Sequence, residues 1–163
     1  MTYEHLDWSI DYAKLRVYLK EKYSVSTAYY FIGNVPHLSF RYIELQRMGY
    51  VVMLRESILF PNGRMKANCD VELTLQTMID KPTYDKAVIL TSDGDFACLV
   101  KHLMGCGKLE RVLAPCLIGC SSLLCKAAGT KIDFLDNTRC RLEDKEAKKD
   151  TRKMSGYMKR GTP

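Results

Sequence analysis

A chain of 163 residues suits one domain, long enough to bury a core of its own. Its 47% hydrophobic and 27% charged residues are those of an ordinary globule, and no run nears the roughly 20 apolar residues that cross a membrane. The formal charge of +6 is lopsided, because Lys145–Pro163 carries seven Lys or Arg against two acids and so holds +5 of it.

The opening MTYEHLDWSI has neither the basic start nor the apolar centre of a secretory leader. Seven cysteines (Cys69, Cys98, Cys106, Cys116, Cys120, Cys125 and Cys140) make an odd set without a CxxC pair or a His-rich partner group. That speaks against a zinc site and fits free thiols on apolar faces in a reducing cytoplasm. His5, His37 and His102 are scattered and give no support to a His-based nucleophilic site.

From Ile10 to Tyr23, Leu15, Val17, Tyr18 and Leu19 fall in a helical pattern among Lys, Arg and Glu, with Asp7 or Ser9 as the expected cap. Val25–Ile32 is β-branched and aromatic and ends at Gly33-Asn34, so it reads as a strand; Tyr29, Tyr30 and Phe31 are expected in its core. His37–Met48 reads as a helix closed by Gly49, followed by a strand over Tyr50–Leu54. Ser57–Met65, with the turn Pro61-Asn62-Gly63, suits a small hairpin. A helix is expected over Cys69–Ile79, with Val71, Leu75, Met78 and Ile79 on one face, Leu73 widening it, and Pro82 stopping it.

Ala87–Phe96, read as AVILTSDGDF, is the stretch around which the rest is organised. An apolar run without a polar face suits a strand buried on both sides of a parallel sheet. Helical spacing starts directly after it, with Phe96, Leu99, Val100 and Leu103 at i, i+3, i+4 and i+7. The turn Asp93-Gly94-Asp95 thus lies at a strand's carboxyl end, where open α/β sheets carry their ligand crevice. Two readings stand open. Asp and Gly are ordinary turn residues, and Asp95 can cap the helix. Alternatively, the carboxylates share a hard cation, Mg²⁺ or Mn²⁺, with the Thr91 and Ser92 hydroxyls holding a water or a phosphate oxygen.

Asp70 and Glu72 form a second acidic site at a helix start. Residues at i and i+2 do not share a helix face, so one is expected as a ligand and the other in solvent; Asp70 is nearer the helix end. An ordinary first-turn acid facing the helix dipole is the plainer reading. Further on, strands are expected near Arg111–Ala114 and Ile132–Leu135, and helices over Ser121–Ala128 and Arg139–Lys148. Strand and helix alternate through short links, which predicts a three-layer α/β fold with a mainly parallel central sheet.

Taken together, Asn68, Asp70, Val71 and Leu73, followed by a buried strand that ends in Asp93-Gly94-Asp95-Phe96, resemble the core of the NYN-domain family of PIN-like nucleases. The likeness extends more faintly from the helix before Tyr23 through Ser121-Ser122-Leu123-Leu124 to Leu135. It implies a Rossmann-like PIN fold over residues 1–144 and metal-dependent cleavage of RNA, single-stranded by expectation. Asp70, Asp93 and Asp95 would be metal ligands for Mg²⁺ or Mn²⁺ and catalytic residues, with Thr91 as a polar catalytic neighbour and Ser92 against the nucleic acid. The family begins with a buried strand ending in Asp-Gly that supplies a first carboxylate. Only MTYEHLDW precedes the first helix here, so the first strand of the pattern is missing or truncated. Hence two functional classes stay open: an RNA-cleaving enzyme, or a non-catalytic RNA-binding or protein-interaction module with an incomplete site.

The tail from Lys145 is basic and poor in apolar residues, and is expected to be a mobile arm. Either it only solubilises the chain, or Lys148, Lys149, Arg152 and Lys153 contact the phosphate backbone without regard to sequence.

Overall fold

Residues 6–56, 58–59, 65–66 and 69–146 are described by a computed structural model of the chain. Helix α1 spans Tyr12–Tyr23 and is capped by Asp11, whose carboxylate accepts from the Lys14 backbone N–H at 3.1 Å. The cap expected at Asp7 or Ser9 therefore falls later. Residues 9–11 are held instead along the end of the fold: Ser9 O accepts from Asp144 N, and Ile10 bridges Glu143. Asp7 is taken by Arg139 at 3.0 Å.

Strands β1 (Ala28–Gly33) and β2 (Tyr50–Arg55) pair in parallel from Ala28↔Tyr50 to Gly33↔Arg55. β1 starts three residues later than expected, because the Arg16 guanidinium occupies the Val25 and Ser26 carbonyls at 3.1 and 2.7 Å. A 3-10 turn over Pro36–Leu38 leads into α2 (Ser39–Arg47), and Gly49 follows at φ +89°, the left-handed geometry a helix stop requires. Strands β3 (Ile58–Leu59) and β4 (Met65–Lys66) pair antiparallel, as the hairpin reading anticipated; its turn Pro61-Asn62-Gly63 lies outside the described residues.

Helix α3 runs over Asp70–Ile79, then come β5 (Ala87–Leu90), a 3-10 turn over Gly94–Phe96 and α4 (Ala97–Gly105). The remainder is β6 (Leu109–Ala114), α5 (Ser122–Ala128), β7 (Ile132–Phe134), a 3-10 turn over Leu135–Thr138 and α6 (Arg139–Leu142). The last helix stops at Leu142 and not near Lys148, because Glu143 turns extended to meet Ile10.

Parallel strands alternate with helices in a Rossmann-like α/β arrangement. They divide into two sheets, β1-β2 and β5-β6-β7, and among the described residues no strand precedes α1. One core packs Ile89, Phe96, Leu99, Val100 and Leu103 against Val112 and Leu124; a second packs Trp8, Leu15 and Tyr18 against Leu113, Leu135 and Leu142; a small third joins Ala28, Leu45 and Tyr50. Each such side chain, withdrawn from water, contributes about 1.5–3 kcal/mol before the entropy cost of ordering it. The helical spacing read at Phe96, Leu99, Val100 and Leu103 is thus the buried face of the turn and α4.

Three burial expectations fail. Val88 and Leu90 are only half-buried, because the side of β5 away from β6 opens into a cavity of about 1560 Å³ that separates it from β1. On α3, the stripe Val71, Leu75, Met78 and Ile79 faces outward, with Val71 68% exposed, and Leu73 instead packs against the core that contains Ile89 and Phe96. Tyr30 is half-buried against Tyr12 and Tyr50, as a core strand residue should be, but Tyr29 is exposed.

Candidate metal centre

The Asp93-Gly94-Asp95 turn is shaped by its own side chains. Thr91, at the end of β5, is 2% exposed, and its Oγ1 accepts the Asp93 backbone N–H at 3.1 Å. Asp93 Oδ1 in turn accepts the Asp95 N–H at 3.0 Å and caps the 3-10 turn that starts α4. The capping foreseen for Asp95 therefore belongs to Asp93. These bonds fix the direction of the turn and leave Asp93 and Asp95 exposed at the mouth of the cavity.

Gly94 is required by close approach, not by its backbone angle, which is not in the left-handed region. A Cβ there would strike Ser121 Oγ and lie 3.1 Å from Ser121 Cβ. Ser121 caps α5 through Oγ, which accepts from Leu123 N–H at 3.3 Å, and its own N–H donates to Ser92 O at 3.0 Å. The start of α5 is thereby stitched to the acidic turn. Ser121 was legible as part of the wider resemblance, and the Ser-Ser-Leu-Leu run is an N-cap pattern, but neither showed that it buttresses the site.

From the other side, the first turn of α3 brings Asp70. One carboxylate oxygen from each of Asp70, Asp93 and Asp95 lies within 4.8 Å of the others. Asp70 is half-buried. Glu72, expected in solvent, is instead tied to Arg55 at the end of β2, and its buried Oε2 has no hydrogen-bond partner among the described residues. Cys69, at the N-cap of α3, has its thiol pKa pushed up by burial and by the neighbouring Glu72 and Asp70 charges.

Three carboxylates gathered from elements 23 residues apart repel one another unless a cation or protons intervene. Their all-oxygen donor set fits a hard divalent ion: oxygens on opposite sides of Mg²⁺, bound at about 2.0–2.1 Å, stand about 4 Å apart. The residues present therefore fit such an ion, with solvent free to fill the remaining positions on the exposed side. Ser92 is half-buried at the cavity wall. Asn68 and the basic residues Lys148, Lys149, Arg152 and Lys153 lie outside the described residues. All seven cysteines are free thiols; only Cys116 is buried, so the apolar-face reading holds poorly for exposed Cys98, Cys106 and Cys140.

Among known proteins, the model of the NYN domain matches residues 1–138. The fold is similar to the crystal structure of a protein of unknown function from Vibrio parahaemolyticus, with a TM-score of 0.61 and 25% sequence identity. That match covers 77% of this chain and 79% of the other. No curated protein matches the chain.

Proposed function

Because the chain belongs to the NYN domain family, a group of PIN-like nucleases, we propose that it is a divalent-metal-dependent endoribonuclease that hydrolyses phosphodiester bonds of single-stranded RNA. The observation that carries this reading is the convergence of Asp70 with Asp93 and Asp95 at the carboxyl end of β5. Asp70, Asp93 and Asp95 would hold Mg²⁺ or Mn²⁺. Such an ion supplies a Lewis acid for the scissile phosphate and lowers the pKa of an attacking water.

The chain's own residues set the geometry. Thr91 holds the Asp93 backbone, and Asp93 holds the Asp95 backbone, so the turn that carries both carboxylates keeps its direction. Ser92, locked through its carbonyl to Ser121, faces the incoming backbone. Lys148, Lys149, Arg152 and Lys153, in the basic arm that we place at residues 145–163 beyond the domain, add sequence-independent affinity for phosphates. Free thiols throughout agree with a cytoplasmic setting; no described helix is long and apolar enough to cross a membrane.

A second reading, a non-catalytic RNA-binding or protein-interaction module, is favoured by one observation. Among the described residues the edge of β5 beside the acidic turn is open, and the cluster of three receives no carboxylate from that side. An in-line attack needs metal, water and phosphate held to within a fraction of an ångström, and a misplacement of 1 Å can cost about 10²-fold in rate. We therefore expect weak metal binding and slow cleavage. The test is a labelled single-stranded RNA incubated with the chain in Mn²⁺, with and without EDTA, beside Asp93→Asn. EDTA-sensitive cleavage lost in the variant supports the enzyme; metal-independent RNA binding without cleavage supports the module.

A further inference from the structure

Helix α4 starts behind the acidic turn and ends in Gly105-Cys106-Gly107-Lys108, beside the amino ends of β5 and β6, where Lys108 O accepts from Ala87 N at 2.8 Å. Its stop is firm. Lys108 N donates to Leu103 O at 2.7 Å and Gly107 N to Met104 O at 2.9 Å, a paired closure that needs a left-handed residue, and Gly107 supplies it at φ +66°. Cys106 is the C-cap, and its own N–H donates to His102 O at 3.0 Å. The backbone that carries the thiol is thereby fixed. The carbonyls of His102, Leu103 and Met104 are satisfied by the same bonds, which blunts the negative end of the helix beside the sulfur.

Two basic side chains meet at Cys106 Sγ. His102 stands one turn earlier on α4, with its Nε2 3.6 Å from the sulfur. Lys81, in the turn that follows α3, donates to the sulfur at 3.2 Å and reaches His102 Nε2 at 3.0 Å. An ammonium only donates, so the Nε2 that faces it carries no proton and stays an acceptor. Asp80, the acid beside Lys81, is taken by Gln76 Nε2 at 2.9 Å and by the Tyr29 hydroxyl, which leaves the half-buried ammonium to the thiol and the imidazole. Lys86 and Lys108 add positive charge at the same corner, on Gly107 O and Tyr84 O respectively, against Asp85 in the same loop.

The sulfur is also open to a reactant. Cys106 is exposed, and a Cβ at Gly105 or Gly107 would meet nothing within 4 Å. Gly107 is demanded by its φ, but Gly105 is not, and alanine would suit the helix better there. The pair of glycines leaves both flanks of the thiol clear. Cys98, on the first turn of the same helix, is exposed too, yet its Sγ lies on Asp95 O at 3.6 Å, with no cation against it among the described residues.

We propose that Cys106 is a thiol-modification site that exchanges with an anionic small-molecule disulfide, His102 taking the thiol proton and Lys81 holding the charge that develops on sulfur. The Cys106 sulfur attacks one sulfur of the disulfide. A new S–S bond forms to Cys106 as the disulfide's own S–S bond breaks, and the leaving thiolate keeps the electron pair and recovers the proton from His102. One thiol and one disulfide become one mixed disulfide and one thiol, so no further oxidant is needed. The lysines draw in the anionic groups that flank the reacting sulfurs. The site lies at the other end of α4 from the acidic turn and needs neither metal nor RNA.

The full chain is incubated at neutral pH with glutathione disulfide or with an uncharged hydroxyethyl disulfide, quenched in acid, and mapped by peptide mass. With glutathione disulfide, Cys106 should react at least about tenfold faster than Cys98, and with the uncharged probe by a smaller ratio. Lys81→Met should bring the Cys106 rate to within about twofold of Cys98, while Lys81→Arg keeps most of it. Buried Cys116 reports on folding. Should it become labelled in Lys81→Met, His102→Gln takes that variant's place with the same expectation. Equal rates at Cys106 and Cys98 overturn the proposal, as does a Cys106 rate indifferent to Lys81 and His102. One and the same ratio with both probes overturns the preference for an anionic partner.

Discussion

Gly94→Ala perturbs the acidic turn through one contact whose magnitude follows from the structure. The new methyl overlaps Ser121 Oγ and sits 3.1 Å from Ser121 Cβ and 3.6 Å from Leu123 Cβ. Oγ can rotate away, but then Leu123 N–H loses its acceptor and α5 its cap, at about 1 kcal/mol. Cβ cannot rotate away, so α5 or the turn must shift by some tenths of an ångström, at about 1–3 kcal/mol. Against these, alanine at an ordinary negative φ restricts the unfolded chain and returns about 0.4–1 kcal/mol. The net loss is roughly 1–3 kcal/mol, a fall in Tm of about 3–10 °C for a chain of this size. Thermal melts of the wild type, Gly94→Ala, Ser121→Ala and the double variant measure it. Removing Oγ should make Gly94→Ala cheaper, a positive coupling of about 0.5 kcal/mol or more. A Gly94→Ala protein as stable as wild type would refute the packing of α5 on the turn.

Three further outcomes follow from the same structure. Mn²⁺ at 100 times its Kd should stabilise the wild type by about 2.7 kcal/mol, and Asp93→Asn, which keeps the turn but removes a ligand charge, should lose most of that gain; equal gains in both would remove Asp93 from the ligand set. Deleting residues 147–163 should weaken binding to single-stranded RNA and flatten the plot of log affinity against log salt by about 0.7 for each phosphate that the arm no longer neutralises, while cleavage at saturating RNA persists. An unchanged slope makes the arm a solubilising tail. The Cys120 thiol, pushed up to about 12 by burial and by the neighbouring Cys125 thiol, whose sulfur lies 3.5 Å away, should alkylate far more slowly at pH 8 than exposed Cys98. Comparable labelling rates by peptide mass mapping would contradict that burial.

The sequence was informative where one element decided its own burial. Phe96, Leu99, Val100 and Leu103 read as a helix face and are one, because both the sheet below and α5 beside them are made by neighbouring sequence. The stripe Val71, Leu75, Met78 and Ile79 has the same periodicity yet faces outward. Spacing reports that a helix has an apolar side, not that another element covers it. Asp11 displaced Asp7 and Ser9 as the cap because several acids and hydroxyls precede α1, and only the long-range contacts of Ser9, Ile10 and Asp7 with residues 139–144 select among them. A cation at Asp93 and Asp95, with Asp70 preferred to Glu72, was one of the readings open from the residues, but the joining of Asp70 to Asp93 and Asp95 in one centre was legible by resemblance only. Local reasoning saw two first-turn acids at Asp70 and Glu72, and nothing nearby in sequence says that Arg55 takes Glu72 and leaves Asp70 to Asp93 and Asp95.

The division of the parallel strands into two sheets also bears on how the molecule opens. Residues 28–55 build one sheet and residues 87–134 the other, each from a single continuous stretch, and no strand ladder joins them among the described residues. Among the described residues, side chains of α1 and α3 reach both sheets across the gap. The first stretch owns only the small core of Ala28, Leu45 and Tyr50, whereas the second owns the large cluster around Val100 and Leu103. Such a division predicts two cooperative units of unequal strength. Partial unfolding should therefore release β1, α2 and β2 together first, with β5 to β7 persisting as a folded remnant, and a denaturation curve followed at each unit should show two midpoints.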